Sequence, residues 1–277
     1  MIKLVAMDLD GTLLNERSVL SERSIRALRA CEARGTRMVI ASGRGFESAR
    51  IFARQAGLES PIICANGARV EASPFGPTLM EDLIPEELGR FTADAMFSSG
   101  IHFVCYARGV NYRVHIHDKA RGNMPALSPD GPAYTLRCCD DEREMFEKGA
   151  LCAYKFVAFA REEEMDALRL LREKLERETD AAISSSWYDN VEVLAQGAGK
   201  GKALRFLADR YGLERDEVMA FGDQMNDMDM LGEAGWPVAM GNAVEELKAV
   251  SRLTAPANSE DGVASILEKY VLGGEAG

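Results

Sequence analysis

Short apolar runs alternate with amphipathic helical stretches at both ends of this chain, and the alternation breaks in the middle. "KLVAM" (3–7), "RMVIASG" (37–43) and "PIICANGARV" (61–70) read as strands covered on both faces, since they lack the polar alternation of a half-solvated strand. Between them lie "SERSIRALRACEARG" (21–35) and "FESARIFARQAG" (46–57). The first has Ser21 as N-cap, an Ile25–Leu28–Cys31 stripe and Gly35 as terminator; the second is closed by Gly57. Asn66-Gly67 is a hairpin turn signal. Strand–helix–strand order of this kind predicts a parallel sheet with helices on both faces.

From about Pro85 the rhythm changes. A helix (85–98) precedes alternating strands "HFVCYA" and "YRVHI", then a Pro/Gly-rich stretch (122–135), the strand "AYKFVAFA", a charged helix (162–178) and the strand "AAISSSW". Alternation points to an antiparallel or mixed sheet with one polar face. After Asn190 the first rhythm returns, with helices at 202–212, 226–234, 243–250 and 261–272 and strands "EVMAFGD" and "WPVAM". The expected architecture is an α/β Rossmann-like core, residues 1–84 and 190–277, interrupted by an inserted α+β domain, 85–189. The terminal "GGEAG" is expected to be disordered.

The chain has 277 residues, 47% of them apolar, enough for two cores. Its net charge of −11 argues against nucleic-acid or anionic-membrane surfaces, though not against a local anion site. No apolar run reaches the ~18 residues of a membrane span, and no signal peptide is expected before "MIKLVAM". The six cysteines, Cys31, Cys64, Cys105, Cys138, Cys139 and Cys152, form no CxxC pair and read as reduced thiols of a cytoplasmic protein.

The chemistry lies at predicted strand ends, where open parallel sheets bind ligands. "DLDGT" drives an apolar strand into Asp8 and Asp10, two like charges whose burial is costly unless compensated; Gly11 and Thr12 add a tight turn whose amides can approach an anion. A capping role would also explain an isolated aspartate. Ser42-Gly43-Arg44 offers a hydroxyl and amides at a helix start, suited to a phosphate oxygen. "FGDQMNDMDML" (221–231) supplies Asp223, Asn226 and Asp227. In "GAGKGKAL" (197–204), Lys200 lies between Gly199 and Gly201 with room to reach inward. Clustered hard oxygens favour a hard cation such as Mg2+, and a cation beside a carboxylate nucleophile lets two anions meet.

In chain order, "DLDGTLL", "ASGR", "GKGKAL" and "GDQMNDMDML" resemble the four motifs of the haloacid dehalogenase superfamily. The "GDxxNDxxML" form and the position of the insert are similar to its Cof-type subfamily with a type IIB cap. The resemblance implies a magnesium-dependent phosphatase of small phosphomonoesters. Asp8 would be the nucleophile forming an aspartyl phosphate, and Asp10 the general acid and then base. The metal would be held by Asp8, the Asp10 main-chain carbonyl, Asp223 and, through water, Asp227. Ser42, Gly43 and Asn226 would bind the phosphoryl group and Lys200 would neutralise it; Lys202 is the less suitable lysine for that role.

Arg108, Tyr112 and Arg113, near a hairpin in the insert, are candidate leaving-group contacts, and Lys155 could face a cleft; an ordinary solvated hairpin is the plainer reading. His102, His115 and His117 lack ligand-like partners, and Trp187 and Tyr188 read as hinge packing. The expected partner is a small phosphorylated metabolite, with no nucleic acid or membrane, for a monomer or weak homodimer. The alternatives are a phosphomutase built from the same residues and a non-catalytic regulator phosphorylated on Asp8; Asp10 argues against the latter.

Overall fold

The computed structural model describes residues 1–115, 135–139, 142–146 and 151–273. His117, most of the 122–135 stretch and the last four residues of the tail lie outside them, as do the side chains of Cys138 and Cys139. The chain divides into two units, Met1–Met80 with Gly199–Gly277, and Glu81–Ala198.

In chain order, the first unit begins with β1 (Leu4–Met7), α1 (Glu22–Ala33), β2 (Arg37–Ala41), α2 (Phe46–Ala56), β3 (Ile62–Cys64), β4 (Arg69–Glu71) and β5 (Thr78–Glu81). The second unit carries α3 (Glu86–Ser99), β6 (His102–Ala107), β7 (Val110–Val114), β8 (Thr135–Cys139), β9 (Ala153–Phe159), α4 (Met165–Glu178), β10 (Ala182–Ser184) and β11 (Asn190–Leu194). The first resumes with α5 (Lys200–Arg210), β12 (Val218–Gly222), α6 (Met228–Glu233), β13 (Trp236–Ala239), α7 (Glu245–Val250), β14 (Leu253–Thr254) and α8 (Gly262–Tyr270).

The first sheet has the order β14-β13-β12-β1-β2-β3-β4-β5. It is parallel from β14 to β3 and turns antiparallel at the β3–β4 hairpin, as Asn66-Gly67 predicts. All four β1 residues are buried, matching the unalternated apolar run. Ser21 caps α1, accepting from Ser24 N–H at 3.0 Å. Ile25, Leu28 and Cys31 turn inward, and Gly57 ends α2 in the left-handed region. Truncating the fully buried Leu28 to alanine would cost about 2–5 kcal/mol. Burial pushes the Cys31 thiol up to about 11 and the Cys64 thiol up to about 12, so both stay protonated. Among the described residues, no helix is long and apolar enough to cross a membrane.

The second sheet has the order β10-β11-β9-β6-β7-β8. It is antiparallel except for β7 beside β8. Alternate residues build its core: Phe103 and Cys105 from β6, Phe156 and Ala158 from β9, and Val191 and Val193 from β11, packed with Leu168, Leu171 and Leu175 of α4.

Two expected boundaries shift. Residues 190–194 do not begin the returning core; they form β11, antiparallel to both β9 and β10. The period-two pattern of "NVEVL" was the signal for it. At the other junction, Ile84 is buried in the second unit's core, and its N–H donates to Ala153 O at 2.8 Å. The linker from Glu81 onward therefore belongs to the second unit rather than the first.

Candidate active site

Adjacent parallel strands in register deliver the first two acids together. Met7 of β1 lies opposite Phe221 of β12. The next N–H, that of Asp8, donates to Phe221 O at 3.2 Å. Asp8 and Asp223 thus leave neighbouring strand ends. Thr12 Oγ1 donates to Asp223 Oδ1 at 2.8 Å. Between Asp8 and Thr12 the backbone turns through Gly11 at φ +79°, where a Cβ would stand 2.2 Å from Asp223 Oδ2. Only glycine fits there.

Asp227 enters from the turn after β12. Its Oδ2 accepts the N–H groups of Asp223 at 3.0 Å and Gln224 at 3.3 Å. Its Oδ1 accepts from Lys200 Nζ at 2.6 Å, and the same ammonium donates to Asp8 Oδ1 at 2.7 Å. Lys200 is the first residue of α5 and is 0% exposed. Lys202 is exposed, so Lys200 is the lysine that reaches inward. The helix start is steadied by Gly201 N–H donating to Asp229 Oδ2 at 2.8 Å.

Asp8, Asp223 and Asp227 each present an oxygen within 4.8 Å of the others, and all three are buried. At such separations each carboxylate pair repels by about 3 kcal/mol at an effective dielectric of ~20. Burial pushes the Asp8 carboxyl well above the usual carboxylate range; Lys200 opposes the shift, while Asp227, Asp223 and Asp10 add to it. Asp223 is pushed up to about 7, first by burial and then by Asp227, with Thr12 and Lys200 opposing. Burial alone would lower Lys200, but Asp227 and Asp8 outweigh it and hold the ammonium above its ordinary value. Two of the three carboxylates, Asp8 and Asp227, share the Lys200 ammonium, and with all three ionised the group carries two formal negative charges in excess, in an all-oxygen donor set. That donor set and that excess charge fit a divalent hard cation.

Asp10 takes no part in this trio. Its side chain is about half exposed and is gripped by Arg44, Nε to Oδ2 at 2.7 Å and Nη2 to Oδ1 at 2.6 Å. Ser42, 1% exposed at the end of β2, accepts Arg44 N–H on its Oγ at 3.2 Å. Asn226 Nδ2 donates to Asn66 Oδ1 at 3.3 Å. Arg44, Thr12 and Asn66 were visible in the motifs as turn or cap residues. Their side-chain partners lie 34, 211 and 160 residues away in the chain, beyond any local pattern.

The candidates in the second unit separate. Tyr112 does not face outward as a leaving-group contact; it is 5% exposed in that unit's core, because its register partner Cys105 lies on the helix-covered face. Arg113 alternates to the other face, opposite Val104. Arg108 pairs with Glu81 at 2.6 Å, and Tyr154 donates to the same carboxylate. Lys155 is buried against Glu192 at 2.8 Å. His102 Nδ1 meets Val114 O at 2.8 Å and His115 Nε2 meets Phe97 O at 3.1 Å. Trp187 and Tyr188 are not packed but exposed, in the loop between β10 and β11.

Residues 5–267 match the haloacid dehalogenase-like hydrolase family. The 5-amino-6-(5-phospho-D-ribitylamino)uracil phosphatase YwtE of Bacillus subtilis is 30% identical, over 98% of this chain and 99% of its own. The pyridoxal phosphate phosphatase YbhA of Escherichia coli is 27% identical, over 98% and 99%. A solved haloacid dehalogenase-like hydrolase from B. subtilis superposes with a TM-score of 0.86 at 26% identity, covering 97% of this chain and 100% of that one. With a buried acid trio at its parallel strand ends and end-to-end likeness to named phosphatases, the chain belongs to the haloacid dehalogenase-like hydrolases and is a phosphoric monoester hydrolase of that family.

Proposed function

We propose that this protein is a Mg2+-dependent phosphatase of small-molecule phosphomonoesters that works through an aspartyl phosphate on Asp8. The observation that carries the reading is the buried trio Asp8, Asp223 and Asp227, with the Lys200 ammonium held between Asp8 and Asp227. Asp8, Asp223 and the Asp10 main-chain carbonyl would hold the ion, with Asp227 contributing through water. When bound, the ion neutralises the excess charge and lets an anionic substrate approach an anionic nucleophile.

An Asp8 oxygen attacks phosphorus and the P–O ester bond breaks. Asp10 gives its proton to the departing alcohol oxygen, then takes one from the water that cleaves the aspartyl phosphate, releasing orthophosphate and restoring Asp8. Asp227 holds Lys200 and is itself held by two backbone N–H groups, so the ammonium is oriented before substrate arrives. Ser42, Gly43 and Asn226 cradle the phosphoryl oxygens. Arg44 occupies one lone pair on each Asp10 oxygen, so its guanidinium has to release one of them for the leaving-group oxygen to take that position beside the acid.

The substrates named for the two relatives both carry a phosphate on a small polar heterocyclic molecule. The same class, together with sugar phosphates and nucleotides, is the range for this chain, and the inserted unit is the part that selects among them. The test is a panel of metabolite phosphates assayed for orthophosphate with Mg2+ and with EDTA. Release that requires the metal is expected. Isomer formation without orthophosphate would mark a phosphomutase instead, and no reaction across the panel would reject the reading.

A further inference from the structure

Residues 65–67 join β3 to β4, and all three are left-handed: Ala65 at φ 49°, Asn66 at φ 53° and Gly67 at φ 89°. A side-chain-bearing residue in that region costs about 1–2 kcal/mol, so such a turn persists only where its surroundings over-determine it. Those surroundings are three of the four strand-end motifs. Ala65 N–H donates to Arg44 O at 2.8 Å, and Asn66 N–H donates to Ser42 O at 3.1 Å. A Cβ at Gly67 would stand 2.0 Å from Gly199 O and 2.8 Å from the Lys200 amide nitrogen. The Asn66 side chain, 3% exposed, accepts from Asn226 Nδ2 at 3.3 Å.

Asn226 is therefore half committed. Its Oδ1 is buried with no hydrogen-bond partner among the described residues. An amide nitrogen carries two protons, and the bond to Asn66 uses one of them. Fixing one leaves the other in a set direction. A side chain with a free χ2 would have to be ordered at each binding event, at a cost of about 0.5–1.5 kcal/mol.

We propose that Asn66 is a positioning residue of the phosphate pocket: its side chain aims the Asn226 carboxamide while its main chain holds the Ser42 carbonyl. This rests on the phosphatase reading above. Asparagine suits the post because it tolerates the left-handed region and still brings an acceptor.

Asn66→Gly keeps the backbone and removes the acceptor. It is compared with Asn226→Ala and with the double variant, all with Mg2+. KM for p-nitrophenyl phosphate and the dissociation constant for orthophosphate by calorimetry should both rise about three- to tenfold, the worth of one hydrogen bond, while kcat changes less. The double variant should bind orthophosphate no worse than Asn226→Ala alone. Wild-type affinity in Asn66→Gly, or losses that multiply in the double variant, would overturn the proposal. Asn66→Ser carries the same expectation should the glycine variant not fold; failure of both to fold would assign the turn to stability and overturn it equally. Calorimetry separates this inference from the reading beneath it. Orthophosphate binding that depends on Asn66 without turnover would reject the phosphatase alone, and no orthophosphate binding by the wild type would reject both.

Discussion

Both units bury charge, and they do it in opposite ways. In the second, Lys155 and Glu192 meet at 2.8 Å with side chains 3% exposed, and the hydroxyls of Ser184 and Ser186 donate to the same carboxylate. There a buried cation meets a buried anion directly. In the first, three clustered acids, Asp8, Asp223 and Asp227, have one lysine among them, Lys200, which pairs with Asp8 and Asp227. Burial of opposite charges in direct contact serves the fold. Unbalanced burial leaves acids that must either take up protons or meet a cation, and such unsettled charge marks a strand end as a candidate site.

The contrast can be broken most sharply at Asp8. Asp8→Asn should lower turnover by about 1,000-fold or more while the chain still folds; activity within tenfold of wild type would remove Asp8 as nucleophile. Next comes the balanced pair. Glu192→Gln takes a carboxylate charge away from a buried ammonium and should cost about 3–5 kcal/mol of stability, read as a fall in denaturant midpoint whether or not Mg2+ is present.

Asp223→Asn should do the reverse in EDTA, stabilising the protein by about 1–3 kcal/mol through lost repulsion, and it should abolish the rise in melting temperature expected when Mg2+ is added to the wild type. The pH dependence follows from the same group. Asp223 titrates at about 7 in the folded chain against about 3.9 when unfolded. The folded state therefore binds the extra proton between those values, and the metal-free protein loses stability as pH rises from about 4 to about 7. Asp223→Asn should reduce that slope, with the raised Asp8 carboxyl supplying the remainder, and Glu192→Gln should leave it unchanged. The smallest effect on stability belongs to Arg44→Gln. Its ion pair with the half-exposed Asp10 is worth about 0.2–1 kcal/mol, so melting should barely move, and kcat should not fall, since proton transfer requires that grip to be released.

Much of this was legible before any coordinates. Unalternated apolar runs marked β1, β2, β3 and β12, and a strand end carrying acids announced each half of the trio, because both signals are local. Lys200 was legible for a steric reason, its glycine neighbours. What escaped depends on partners far along the chain or on a choice of face. The Arg44 grip on Asp10 joins two strand ends. The inward turn of Tyr112 depends on a register that a hairpin sequence alone leaves open. β11 escaped although "NVEVL" alternates, because its partners β9 and β10 belong to the insert while the chain is already on its way back.

The place of β1 has one more consequence. It is hydrogen-bonded on both sides, to β2 and β12, and wholly buried. Segments of that kind exchange their amide protons only when the whole unit opens. Asp8, the proposed nucleophile, directly follows the last piece of the unit to let go. Heating should therefore not erode catalysis gradually through a fraying edge; enzyme activity and the near-ultraviolet signature of native packing should vanish at the same temperature.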